Sequence, residues 1–179
     1  MSAVADSTPV DEAIRSRRTH KVFAGEPLSD ETIAEILELA RWAPNHKLTN
    51  PWRFRVLGPA ATQRLKLVLE QAQPGSGAKL DRAPTLICAT VVLEGGAEQQ
   101  REDMLSAAAA CYIVLLAAHA RGLAGYWRTV PAIDSPAGRK ALGIADRESP
   151  IGLLHLGGVR QQQPAPQREP VERLVSFLD

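Results

Sequence analysis

From about Gln99 to Arg121 the chain runs without Gly or Pro and is rich in alanine, which predicts one long helix ended at Gly122. Its second half, Ala107 to Ala118, is apolar nearly all round, so other elements or a second subunit must enclose it. A helix of that kind needs layers on more than one side. The preceding run, Thr85 to Leu93, is almost continuously apolar, as expected of a central strand covered on both faces. A buried strand followed by a buried helix sets the plan, and 179 residues suffice for one such domain without disulfides.

The other elements follow from local signals. Thr8 and Pro9 suit the cap and first position of a short helix, with Asp11 in its first turn. Ser29 caps a longer helix after a turn at Gly25; Ile33, Ile36, Leu37, Ala40 and Ala43 form its stripe, and Pro44 ends it. The loop from Pro44 to Pro51 is stiffened by a proline at each end. Trp52 to Leu57 reads as a strand, and Ala61 to Gln73 as a helix carrying Leu65, Val68, Leu69 and Ala72. Pro74 to Ala83 reads as a mobile loop or lid. Gly125 to Thr129 is a short strand, Ser135-Pro136 opens a small helix that stops at Gly143, and Ile151 to Leu156 is the last core strand. The stretch Arg160 to Pro170 is rich in Gln and Pro and cannot pack as core, whereas Val171, Leu174, Val175 and Leu178 recur at helical spacing and call for a dock such as a partner subunit.

Several chemistries find no support. The net charge of +1, from 21 basic and 20 acidic residues, gives no reason to expect nucleic acid or an anionic membrane as partner. The segment Met1 to Pro9 lacks the basic and apolar regions of a secretory signal, and Ala107 to Ala118 is shorter than the roughly 20 residues that cross a bilayer. Cys88 and Cys111, each inside an apolar run, read as buried thiols of a reducing compartment. His46 has no second His or Cys at ligand spacing, His20, His119 and His155 are isolated, and no G-x-S-x-G elbow, Walker loop or G-x-G-x-x-G turn is present. The expectation is a cytoplasmic protein.

Two segments are suggestive. Arg17 and Arg18 could be solvated partners of the negative end of the first helix. Two adjacent guanidinium groups followed by the Thr19 hydroxyl also make a forked phosphate site. Gly125-Tyr126-Trp127-Arg128-Thr129 reads equally as an edge strand with an exposed arginine or as a stacking surface joined to a phosphate donor.

Four motifs in order resemble the nitroreductase family, in particular its short members. Ser16-Arg17-Arg18-Thr19 matches an S/N-R-R-S/T motif. Ala43-Pro44-Asn45-His46-Lys47, with Asn50-Pro51-Trp52-Arg53-Phe54, is similar to A-P-x-H-K…Q-P-W-x-F. Gly122 to Thr129 is similar to G-x-G-x-x-W-R-S/T, and Gly152 to Gly157 to G-F-L-Y-L-G. The resemblance implies an α+β three-layer sandwich, its central mixed or antiparallel sheet flanked by helices, assembled as a homodimer with FMN at the interface. Residues 1–8 would be a flexible N-terminus, 9–160 the FMN-binding domain, and 161–179 an arm on the partner subunit. By matching position Arg17, Arg18, Thr19, Trp42, His46, Trp127, Arg128 and Thr129 would contact FMN, Trp42 and His46 often from the other subunit. Gly122, Leu123, Ala124 and Gly125 would receive NAD(P)H. The chain departs from the pattern at Trp42, often arginine, and at Asn50, usually Gln. The implied reaction is ping-pong hydride transfer from NAD(P)H through FMN to a nitroaromatic, a quinone or a similar small electron-poor acceptor, with no residue required as catalytic base. A different FMN reaction, or flavin binding without turnover, are the alternatives.

Overall fold

The computed structural model describes residues 9–178, so the Thr8 cap and the N-terminal flexibility expected from the sequence lie outside the described residues. Five helices and five strands follow in the order α1 (Pro9–Ser16), β1 (Phe23–Ala24), α2 (Asp30–Ala40), β2 (Trp52–Val56), α3 (Pro59–Ala72), β3 (Thr85–Val92), α4 (Ala97–Ala120), β4 (Leu123–Arg128), α5 (Pro136–Leu142) and β5 (Glu148–Val159). β3 pairs with β2 and β5, and β5 pairs also with β4 and β1, all antiparallel. The sheet is therefore antiparallel rather than mixed; its parallel contact is an isolated bridge between Thr19 and Gly125.

Alternation along β3 and β5 builds two cores. Ile87, Ala89, Leu154 and Leu156 face α2 and α4, joined by Ile33, Ile36, Ala110, Cys111 and Val114. Leu86, Cys88 and Leu153 face the other way, with Leu65, Leu69, Ile133 and Leu142 around α3 and α5. Helices on both faces of one sheet make the three-layer α+β sandwich. All eight residues of β3 are buried, as its continuous apolar run requires. α4 is by length and composition apolar enough to span a membrane, beyond the shorter run taken from the sequence, but it lies against β2, β3, β4 and β5 as the core helix.

Local signals act as expected at most boundaries. The Ser29 hydroxyl accepts from the Thr32 N–H at 3.2 Å, and Ser135 caps α5 by accepting from the Gly138 N–H at 3.1 Å. Gly143 ends α5 at φ +62°, a left-handed position suited to glycine. At Gly152 (φ +154°) an added Cβ would lie 2.5 Å from Trp127 Nε1, so glycine there lets β4 close onto β5.

Some expectations change. α2 stops at Ala40, before Pro44: the Trp42 and Ala43 N–H groups bond Leu39 and Ala40, tightening the exit while Ala43 stays buried. Segment 74–83 is no mobile lid. It forms a 3₁₀ turn (Gly77–Arg82) with Ser76, Gly77 and Leu80 buried, and the Gly75 and Gly77 N–H groups donate to the Glu70 carboxylate at 2.7 and 3.2 Å. Ser149-Pro150, which from sequence alone reads as a loop turn, is not one. It lies within β5, where the register shift between Ala89 and Thr90 opposes Pro150 and spares the ladder the donor proline lacks. Ala72 is exposed, and β1 carried no sequence signal because two residues have no period. A bidentate ion pair from Arg55 to buried Glu148, at 2.7 and 2.8 Å, ties β2 to β5 across β3.

Candidate flavin site

The segment after α1 is laid along β4. The His20 N–H donates to the Gly125 carbonyl at 3.1 Å, and Thr19 bridges Gly125. This fixes Arg17 and Arg18 beside α4, with the Arg17 guanidinium 5.6 Å from the centroid of the Tyr112 ring. Arg18 Nη1 donates to the Arg15 and Arg17 carbonyls at 2.6 and 2.9 Å. The Nε atoms of both arginines are buried without a hydrogen-bond partner among the described residues. Together with Ile14, Arg15, Tyr112, Ala165, Pro166 and Arg168 they line a cavity of about 360 Å³. Four guanidinium groups converge there with no lining carboxylate, an arrangement that mutual repulsion opposes and an anion would relieve. Nearby, Ser16 Oγ and His119 Nε2 stand 2.7 Å apart. Burial, then Arg17, His20 and Arg18, hold the His119 pKa down. Burial chiefly, with Arg17 adding, also lowers that of His20 against a raising backbone contact at Arg18.

Arg128 lines a second cavity, of about 210 Å³, with Lys21, Phe23, Lys79, Arg82, Tyr126 and His155. Four cations again meet without a lining carboxylate. His155 is buried between the Phe23 ring (centroids 6.4 Å apart) and the Tyr126 ring (5.6 Å), and its Nε2 has no partner among the described residues. Burial first, then Arg128 and Arg82, bring its pKa down to about 4, so it is neutral at pH 7. From Arg17 to Lys21 is four residues, about 13 Å if fully extended, so the two basic cavities lie along one short stretch of chain.

The remaining expected site residues are distributed differently. Trp127 turns to the α2/α4 core, its indole N–H donating to the Ile151 carbonyl at 3.3 Å. Thr19 and Thr129 are exposed. Gly122 holds the turn before β4 at φ +72°; Leu123 is half-buried, and Ala124 and Gly125 are buried. Trp42 is 72% exposed, with the Arg41 guanidinium 5.7 Å from its ring centroid. His46 Nδ1 meets Glu102 of α4 at 2.8 Å. Neither Trp42 nor His46 lines either cavity within one protomer.

Sequence reasoning missed Lys21, Lys79, Arg82, Tyr112 and Arg168. Lys21 lies in a bend between Thr19 and β1, where no local pattern marks it. Lys79 and Arg82 were hidden in the segment read as a lid. Tyr112 and Arg168 reach the site through tertiary packing alone and leave no local signal.

The nitroreductase family model matches residues 14–158. The chain is 31% identical to YdjA of Escherichia coli (strain K12) over 157 residues, 82% of this chain and 86% of YdjA. It is 26% identical to YfhC of Bacillus subtilis (strain 168) over 174 residues, 89% of each. Among solved structures, a nitroreductase-like family protein from Bacillus cereus superposes with TM-score 0.87 at 23% identity, covering 99% of this chain and all of that one. A protein from Desulfovibrio desulfuricans, solved in complex with FMN, superposes with TM-score 0.80 at 29% identity, covering 97% and 98%. Fold, motif order and full-length similarity converge: the chain belongs to the nitroreductase family.

Proposed function

We propose that the chain is an FMN-dependent oxidoreductase that takes hydride from NAD(P)H and reduces nitroaromatic, quinone or similar electron-poor acceptors, working as a homodimer. The observation that carries this reading is the cavity lined by Arg15, Arg17, Arg18 and Arg168 with no lining carboxylate. A phosphate ester satisfies such a donor set, and the FMN-bound relative and the NAD(P)H in the names of YdjA and YfhC indicate which phosphate ester and which donor.

Bound FMN would supply the hydride chemistry; the chain supplies position and electrostatics. Arg17, Arg18 and Arg168 would hold the phosphate, with Thr19 adding a hydroxyl. Lys21, Lys79, Arg82 and Arg128 would face the oxygen-rich edge of the ring system. His155, neutral at pH 7, is a poor proton donor, which suits a positioning role. Glu102 holds His46 Nδ1 and leaves Nε2 available to a ligand. Because His46 and Trp42 line neither cavity of their own protomer, their part in the site belongs to a second copy.

The reaction is tested by steady-state oxidation of NADH and NADPH with a nitroaromatic or quinone acceptor. Acceptor-dependent oxidation is expected; bound FMN with neither coenzyme oxidised would indicate another flavin reaction. The dimer has its own test. Trp42, Leu48, Leu105, Leu174, Phe177 and Leu178 are all more than 60% exposed on one protomer. An obligate interface buries about 2,000 Å² or more, and residues 161–178 are well placed to contribute to it. Sedimentation at micromolar concentration should give a dimer, and a well-folded flavin-bound monomer would refute that assembly.

A further inference from the structure

The loop between α2 and β2 has an unusual backbone. Lys47, Leu48 and Asn50 have φ of +59°, +51° and +48°, and are the described non-glycine residues with positive φ. Asn tolerates this left-handed region, which gives the departure from Gln at that position a physical reason. Lys and Leu do not favour it, because Cβ crowds the following carbonyl oxygen. Left alone, this segment would relax.

α4 prevents that. Its Asp103 is 2% exposed yet carries a carboxylate, which accepts from the Thr49 hydroxyl at 2.5 Å and from Gln99 Nε2 at 3.1 Å. One residue before it, Glu102 holds His46; one turn after it, Ser106 meets Asn45 Nδ2 at 3.4 Å. Within the loop, Asn45 Nδ2 donates to Thr49 Oγ1 at 3.0 Å and Asn45 Oδ1 accepts from the Asn50 N–H at 2.7 Å. Three neighbouring side chains of the core helix thus seize both ends of a strained loop. What the loop presents outward is His46 and the 78%-exposed Leu48. Strain held in place by a buried carboxylate, beneath an exposed histidine that lines neither basic cavity of its own protomer, is organised for something beyond the protomer's own packing.

We propose that Asp103 is a positioning residue: through Thr49 it holds residues 45–50 in their left-handed conformation, and cofactor binding at the site completed by His46 depends on that conformation. The inference rests on the FMN reading above. It predicts that loosening the loop costs cofactor affinity before it costs the fold, since Thr49 is exposed while the core beneath is untouched.

The test uses the full chain. Thr49→Val removes the hydroxyl at nearly constant shape; Asp103→Ala removes the carboxylate, and Asp103→Asn keeps an acceptor for Thr49. FMN affinity is read by fluorescence quenching, loop opening by hydrogen exchange over residues 45–50, and stability by Tm. Thr49→Val and Asp103→Ala should weaken FMN about tenfold or more and speed loop exchange, while Asp103→Asn stays near the parent. Adding Lys47→Gly to Thr49→Val should recover most of the affinity, because glycine enters the left-handed region without crowding. A purely structural Asp103 would lower Tm with no change in FMN affinity and no glycine rescue. Parental affinity and exchange in Thr49→Val, or failure of the rescue, would overturn the inference alone. A parent chain that takes up no FMN would overturn the functional reading and this inference with it.

Discussion

Replacing Arg17 and Arg18 together by alanine is expected to weaken FMN binding by on the order of a hundredfold. Each guanidinium removed takes away a charge-assisted phosphate contact of about 1.5–3 kcal/mol, which is over tenfold singly. The two contacts share one phosphate and will not add cleanly. The loss should fall on affinity rather than stability, because neither side chain belongs to the two apolar cores and the Nε atoms begin without a partner. Arg18→Ala also removes bonds to the Arg15 and Arg17 carbonyls, so a small stability effect is expected there. Titration of each apo variant with FMN measures this directly. Parental affinity in both single variants would place the phosphate elsewhere, with the cavity around Arg128 as the remaining cationic site.

The second large effect concerns acid stability. His155 titrates near 6.5 when unfolded and near 4 when folded, because burial, with Arg128 and Arg82, disfavours its charged form. A histidine whose pKa is depressed by folding leaves the unfolded state binding more protons between those values. Stability is then complete above about pH 6.5 and falls as pH drops toward 4. The size of the fall is about 3 kcal/mol over that window, at about 1.4 kcal/mol per pKa unit. His20 and His119, also held below their ordinary pKa, push the same way. Urea unfolding between pH 7 and pH 4, at fixed protein and FMN concentration, should show a parent that weakens steeply. His155→Tyr should have a distinctly flatter profile. Coincident profiles for the two proteins would show that folding does not depress the His155 pKa.

The layered architecture was legible because its main elements carry long, unambiguous patterns. Thr85 to Val92 is apolar on both faces of its strand, and α4 lacks any breaker until Gly122, so each could be only a buried element. Ser29, Ser135 and Gly143 act through contacts within one turn, and such contacts survive in a local reading. Errors arose where tertiary contact overrode a local signal. Gly75 and Gly77 read as a loose loop, but Glu70 collects both of their N–H groups. Pro150 reads as a turn, but it continues β5 beside a bulge at Ile151, where Ala89 pairs with Gly152 and Thr90 with Pro150. The site divides similarly. Arg17 and Arg18 were visible because they are adjacent, and Arg128 because it sits in a motif. Lys79 and Arg82 reach the Arg128 cavity, and Arg168 the Arg17 cavity, from distant segments, and the left-handed backbone at Lys47 and Leu48 has no residue signature. The carboxylate that grips this loop through Thr49, that of Asp103, lies 54 residues further along the chain.

If this member of the nitroreductase family is a working flavoenzyme, its bound flavin must cycle between oxidised and reduced forms. The most direct measurement is the absorption spectrum of the purified chain, supplied with FMN and taken before and after NADH or NADPH is added under argon. The expected result is a protein-bound flavin spectrum that bleaches on adding the coenzyme and returns when a quinone or nitroaromatic is admitted. A chain that binds no FMN, or whose bound FMN keeps its oxidised spectrum in the presence of both coenzymes, would contradict it.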